Sequence, residues 1–240
     1  EAVMEALYQS IFTRNACRNY EQAPLSLQFF DEMEDAIRAF KRLYEEDTLS
    51  YRIVTETKGL FHVKAPHYLI VSGVGNKGEK EAAGFLFQQL GLWLTSNGLG
   101  CVWLGATKDG ESRARRGDII TIAFGTMSDD PHRLRPRFKR KDPLAVTNDP
   151  SDPRIQAALL APSGLNCQPW YFEKEEDRVL VYRQKLNAPL ALVYTLTPID
   201  IGIALAHYMV ACAHEGKSFT FLKSSDLPKK RGYYPFGIIK

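Results

Sequence analysis

Apolar residues recur with a helical period over residues 3–20, and the pattern breaks at Glu21-Gln22-Ala23-Pro24. Ser26 then offers a cap for a second helix, because Phe29, Met33, Ile37 and Phe40 follow it on one face. The period shortens next. Tyr51–Thr55 and Pro66–Gly73 are rich in β-branched and aromatic residues and read as strands. Residues 81–98 return to helix, but Phe85, Leu86, Phe87, Leu90, Leu92, Trp93 and Leu94 occupy most of its circumference. A helix apolar on every side must be buried on nearly every side. Gly98 and Gly100 end it. Strands follow at Cys101–Gly105 and Ile119–Gly125, separated by a polar surface loop over 107–117.

The second half opens with a short helix, Pro153–Leu160, and strands at Trp170–Lys174 and Val179–Arg183. Thr197 as cap and Pro198 at the first helical position start a long helix that closes at Gly216. Phe219–Leu222 and Tyr234–Ile239 are the last strands. Each half therefore runs helix, strand, strand, buried helix, strand, strand. Gly84 to Gly98 and Gly202 to Gly216 both span 14 positions, each closing a central helix before an apolar strand. The expected fold is α+β, with mixed, mainly antiparallel sheets, two buried central helices and an internal pseudo-twofold repeat. Residues 1–128 and 151–240 form the halves, and 129–150 is a basic connecting segment.

Composition adds limits. Hydrophobic residues make up 45% of the 240 and charged residues 25%, ordinary for a chain with a sizeable core. No apolar run reaches the ~20 residues of a membrane helix, and the first residues lack the basic-then-apolar pattern of a secretion signal. A net charge of +3 is too small to argue for a nucleic-acid partner. The four cysteines, Cys17, Cys101, Cys167 and Cys212, show neither C-x-x-C pairing nor zinc spacing with histidine. Reduced thiols in a cytoplasmic protein without a metal site are expected. The charge is uneven: six Lys or Arg and no acid lie between His132 and Lys141, which reads as either a solvated loop or a phosphate-binding segment.

Two segments carry candidate chemistry. In Ala161-Pro162-Ser163-Gly164-Leu165-Asn166-Cys167-Gln168-Pro169-Trp170, two prolines bracket a hydroxyl and two amides, too irregular for a helix interior or a central strand. It is either a helix-ending turn with satisfied polar groups or a ligand loop. In Thr13-Arg14-Asn15-Ala16-Cys17-Arg18-Asn19-Tyr20, Arg14 and Arg18 are four apart and share a face if helical. Two guanidinium groups there suit surface ion pairs or an anionic, oxygen-rich ligand. His207 and His214 on the last long helix read as core or surface residues. No G-x-G-x-x-G follows a strand, so a separate dinucleotide domain is not expected.

Together these segments resemble the FMN-dependent nitroreductase family. Arg14, Arg18 and Tyr20 match its R-x-S-x-R-x-F/Y motif, and residues 161–170 match its A-P-S-x-x-N-x-Q-P-W motif in full. Asn97–Gly105, Ile122–Gly125 and Phe138–Leu144 resemble its G-L-G-x-x-W-x-G, I-x-x-G and K-x-R-x-P-L segments. The second motif stands in the second half, as in the branch in which one chain of two half-size repeats mimics the family homodimer.

The resemblance implies one FMN site per chain and no catalytic side chain, since the flavin performs the chemistry. Arg14, Asn15, Ala16 and Arg18 would hold the phosphate, ribityl chain and pyrimidine edge. Lys139 and Lys141, with Arg140 as substitute, would add charge at the phosphate. Pro162, Ser163, Gly164 and Asn166 would meet the ring from the other half. Leu104 and Gly105 would lie near its reactive nitrogen. The implied activity is ping-pong reduction of nitro, quinone or related small acceptors by NADH or NADPH, by a monomer acting as a pseudo-dimer or by a homodimer. Dehalogenation, flavin fragmentation and a cofactor-less relative are the alternatives. Ala16 replaces the motif serine; the lost hydrogen bond is worth about 0.5–1.5 kcal/mol, roughly tenfold in FMN affinity.

Overall fold

The computed structural model describes residues 1–110, 116–128 and 139–240. Its first half contains α1 (Ala2–Thr13), α2 (Leu27–Ala39), β1 (Ser50–Val54), β2 (Thr57–Gly59), β3 (His67–Ser72), α3 (Glu79–Ser96), β4 (Gly100–Leu104), β5 (Thr107–Asp109) and β6 (Asp118–Gly125). The rest contains α4 (Pro143–Val146), α5 (Pro153–Leu159), β7 (Trp170–Lys174), β8 (Val179–Gln184), α6 (Leu190–Val193), α7 (Thr197–His214), β9 (Phe221–Lys223) and β10 (Tyr233–Ile239). The α+β reading holds. Ser26 caps α2 as expected, its hydroxyl accepting from the Phe29 N–H at 3.1 Å.

Three local expectations need correction. The first helix stops at Thr13, not near Tyr20, because Cys17 N–H is drawn to the Cys101 carbonyl at 3.1 Å and Glu21 N–H to Thr126 at 2.9 Å. The loop over 107–117 contains a strand: Thr107–Asp109 pairs antiparallel with Thr57–Gly59. Thr197 does not cap α7; Leu196 holds that position, and the Thr197 hydroxyl accepts from Arg183 at 3.1 Å. Residues 111–115 of that loop and 129–138 of the connecting segment lie outside the described residues.

Two four-stranded antiparallel sheets carry the architecture, with orders β1-β3-β6-β4 and β7-β8-β10-β9. In chain order, both sheets begin with two strands, pass through an 18-residue helix and finish with two more. Their third and fourth strands occupy the same places in the two sheets. The helices α3 and α7 cross in the common core, where Phe85 stacks on Phe219 at 5.7 Å. Gly84 and Gly202 permit the crossing. A Cβ on Gly84 would collide with the Ile199 carbonyl oxygen, and one on Gly202 with that of Glu81. One continuous apolar cluster runs from Leu69 and Phe85 to Val181 and Ile199, so both sheets stabilise one core. Among the described residues, no helix is long and apolar enough to cross a membrane.

Candidate functional site

The N-terminal motif is extended. Arg14 ends α1 at φ −62° and ψ 144°, and Ala16 forms a parallel bridge with Cys101. Tyr20 bridges Met127, and its hydroxyl donates to the Cys17 carbonyl at 2.6 Å. Gly100 makes this docking possible, since a Cβ there would lie 2.6 Å from the Cys17 Cβ. The helical face expected for Arg14 and Arg18 therefore does not exist. Arg14 lies half-buried beside β4, whereas Asn15 and Arg18 are exposed.

Burial, followed by repulsion from Arg140, lowers Arg14 to about 10. Its guanidinium has no hydrogen-bond or carboxylate partner among the described residues. A cation removed from water without a partner is costly to hold.

The second motif leaves α5 as a strained loop. A single tight turn covers Gly164–Asn166, and Leu165, Asn166 and Gln168 adopt left-handed φ of 52°, 51° and 45°. Each such non-glycine residue costs about 1–2 kcal/mol and persists only when its surroundings fix it. The fixing groups are visible. Ser163 Oγ accepts from Gln168 N–H at 2.9 Å. Asn166 Nδ2 donates to the Lys139 carbonyl at 2.8 Å, and Lys141 N–H donates to Gln168 Oε1 at 2.9 Å. Lys141 Nζ donates to the Gln168 carbonyl at 3.3 Å and to Gln184 at 3.0 Å. Gly164 N–H donates to Asp200 Oδ1 at 3.0 Å.

The sequence reading missed Gln168 as the stitch between loop and basic segment, although its position inside the motif marked it. It also missed Asp200, which nothing in the sequence singles out from a solvated acid in a first helical turn.

Arg140 joins the two motifs. Its guanidinium donates to the carbonyls of Ala161 at 2.6 Å and Leu160 at 3.2 Å, while its charge acts on Arg14. Lys141 is lowered, mainly by burial. Lys139 is exposed. Pro162 lies at the loop's base, half-buried. Leu104 is buried at the end of β4, and Gly105 follows it; a Cβ on Gly105 would stand 3.1 Å from Leu196 Cδ1, one residue before α7. The structure thus gathers Arg140, Lys141 and the 161–168 loop beside the start of α7, with Arg14 within reach of Arg140's charge and next to Cys101 near the beginning of β4. The first residue of the basic motif, Phe138, lies outside the described residues.

His207, buried nearby on α7, is satisfied internally. The Ala157 carbonyl only accepts, so His207 Nδ1 carries the proton it donates there at 3.0 Å. Its Nε2 then accepts from Gln88 Nε2 at 2.9 Å, and Gln88 Oε1 accepts from Trp103 at 3.0 Å. Burial, then the charges of Arg14 and Arg140, lower His207 to about 3, so it is neutral and structural. His214 pairs with Glu5 at the surface. Two grooves of about 470 and 510 Å³ lie elsewhere, against Phe40 and Met209 and against Met33 and Phe87. Neither touches the motifs.

The family model described as "Putative TM nitroreductase" matches residues 6–212. No curated protein matches the chain. Among solved structures, a protein described as a putative nitroreductase from Thermotoga maritima shares 21% identity. It covers 97% of this chain and 91% of its own, with TM-score 0.68, a likeness of fold. A putative NADH dehydrogenase/NAD(P)H nitroreductase from Bacteroides thetaiotaomicron has 18% identity, TM-score 0.47 and coverage of 59% and 95%. An FMN-dependent nitroreductase from Clostridium difficile has 15% identity, TM-score 0.42 and coverage of 51% and 88%.

Proposed function

This chain belongs to that nitroreductase family, and on this premise we propose that it is an FMN-dependent oxidoreductase transferring electrons from NADH or NADPH to nitro, quinone or related small acceptors. The observation that carries the reading is Arg14: a desolvated guanidinium beside Arg140, without a hydrogen-bond partner among the described residues, suits an anionic ligand. The donor set fits a phosphomonoester. Bound FMN would supply two-electron acceptance and release.

The chain's own residues would bind and orient it. Arg14, Arg140 and Lys141 meet the anion, with Arg18 and Lys139 at the solvent side. The Ala16 backbone, Leu104 and Gly105 form one wall, and Pro162, Ser163 and Asn166 the other. The Asn166 amide nitrogen is already committed to Lys139, and its oxygen accepts from Gln168 Nε2 at 3.3 Å, so the Ser163 hydroxyl hydrogen and the second lone pair of the Asn166 oxygen are the polar groups to face a ligand. Gly164 N–H is likewise committed, to Asp200, and offers only a side-chain-free surface. Donor and acceptor would use the same open face in turn, the ping-pong order.

We also read the two sheets of equal strand order as halves of one repeat, giving one site per chain in a monomer or homodimer. The four free cysteines accord with a reducing, cytoplasmic setting. The test is direct. Purified protein, or protein reconstituted with FMN, should show a yellow flavin spectrum that NADH or NADPH bleaches and a nitroaromatic or quinone restores. Colourless protein that takes up no added FMN overturns the reading.

A further inference from the structure

Asp200, in the first turns of α7, is 2% exposed and receives three donors. Gly164 N–H reaches Oδ1 at 3.0 Å, while the Tyr194 hydroxyl at 2.6 Å and the Cys167 thiol at 3.9 Å reach Oδ2. Two of these donors belong to the strained loop, and the third comes from the segment joining α6 to α7. The outer rim of the loop is stitched to 139–141 through Asn166 and Gln168. Among the described residues, its inner rim is tied to Asp200. An aspartate suits this place because it offers two acceptor oxygens and so serves donors from both sides. Gly164 completes the fit: a Cβ there would collide with the Tyr194 hydroxyl.

We propose that Asp200 is a positioning residue for the cofactor site, holding Gly164 and Cys167 so that the Ser163 hydroxyl and the Asn166 side chain, both braced by Gln168, keep their places toward the ligand. The proposal rests on the flavin reading for the ligand's identity, but the anchoring itself does not. Asp200 touches neither cofactor nor substrate in this arrangement. It acts through the loop, and Tyr194 fixes its orientation.

The experiment combines amide exchange of the ligand-free protein with FMN titration. Asp200→Ala should speed exchange at least tenfold in peptides covering 161–170, leave α3 peptides unchanged, and raise the FMN dissociation constant at least tenfold. Asp200→Asn retains an acceptor for Gly164 and can donate to Tyr194, so both quantities should stay within about threefold of wild type. If the alanine variant does not fold, Asp200→Leu fills the volume without an acceptor and should behave as the alanine variant is expected to. Unchanged loop exchange and FMN affinity in the folded variant overturn the proposal. So does loosening spread evenly over the whole chain, which marks a merely structural residue. Wild-type protein that binds no FMN while its variants loosen only 161–170 refutes the flavin reading and leaves the anchor standing.

Discussion

Replacing Arg14 with Met separates stability from binding. Methionine keeps the apolar packing of the side-chain stem and removes the charge. The fall of Arg14 from its ordinary 12.5 to about 10 corresponds to roughly 3 kcal/mol disfavouring the charged form in the folded protein. Solvent reaching this half-buried group screens part of that, leaving ~1–2 kcal/mol. The ligand-free variant should therefore melt about 3–6 °C higher than wild type. FMN binding should move the other way. A charge-assisted hydrogen bond is worth about 1.5–3 kcal/mol, so its loss weakens binding about 10- to 150-fold. Thermal melts with and without FMN, together with a fluorescence titration of the flavin, read both quantities. The stabilisation produced by saturating FMN should shrink in the variant. A ligand-free variant that melts lower than wild type, with FMN affinity unchanged, refutes the reasoning and makes Arg14 a structural residue.

Gly202→Ala should destabilise the fold by about 3 kcal/mol or more, because the added methyl meets the backbone oxygen of Glu81, which cannot retreat as a side chain can. A fall in Tm below 2 °C would show that the helix crossing adjusts freely. Burial raises Asp200 from 3.8 to about 7, opposed by its hydrogen bonds to Tyr194, Gly164 and Cys167. Between these values the unfolded chain has released a proton that the folded one keeps, so this group's contribution to stability falls as pH rises. His207, lowered to about 3, works in the opposite direction up to its ordinary value near 6.5. Comparison of Asp200→Asn with wild type isolates the aspartate. The variant's relative stability should grow from pH 4.5 to pH 8 by up to about 3 kcal/mol, and denaturant melts that show a pH-independent difference would contradict the assigned shift.

Much of the architecture was legible in the chain. The 18-residue central helices announced their burial through apolar residues on every side, and Gly84 and Gly202, which open the two matched glycine intervals, stand where these helices meet. The 161–170 string marked an irregular loop, because prolines around clustered amides have no place in regular structure. What failed was local extrapolation. Residues 14–20 read as helix by spacing, yet they bridge to β4 and to Met127 just after β6, since backbone hydrogen bonds to an open sheet edge outweigh a weak helical pattern.

Only the tertiary structure decided how the site is held. Gly164 and Asp200 are 36 residues apart, and Arg140 reaches Ala161 across 21. No pattern in the sequence couples such positions, because their contact depends on where α5, α7 and the basic segment meet. Residue type alone named the amides as ligand contacts; geometry showed that the amide nitrogens of Asn166 and Gln168 serve the loop itself. The sequence determined which chemistry the chain carries. The packed fold decided which groups remain free to use it, because desolvation and competing internal partners exist only once the chain is folded.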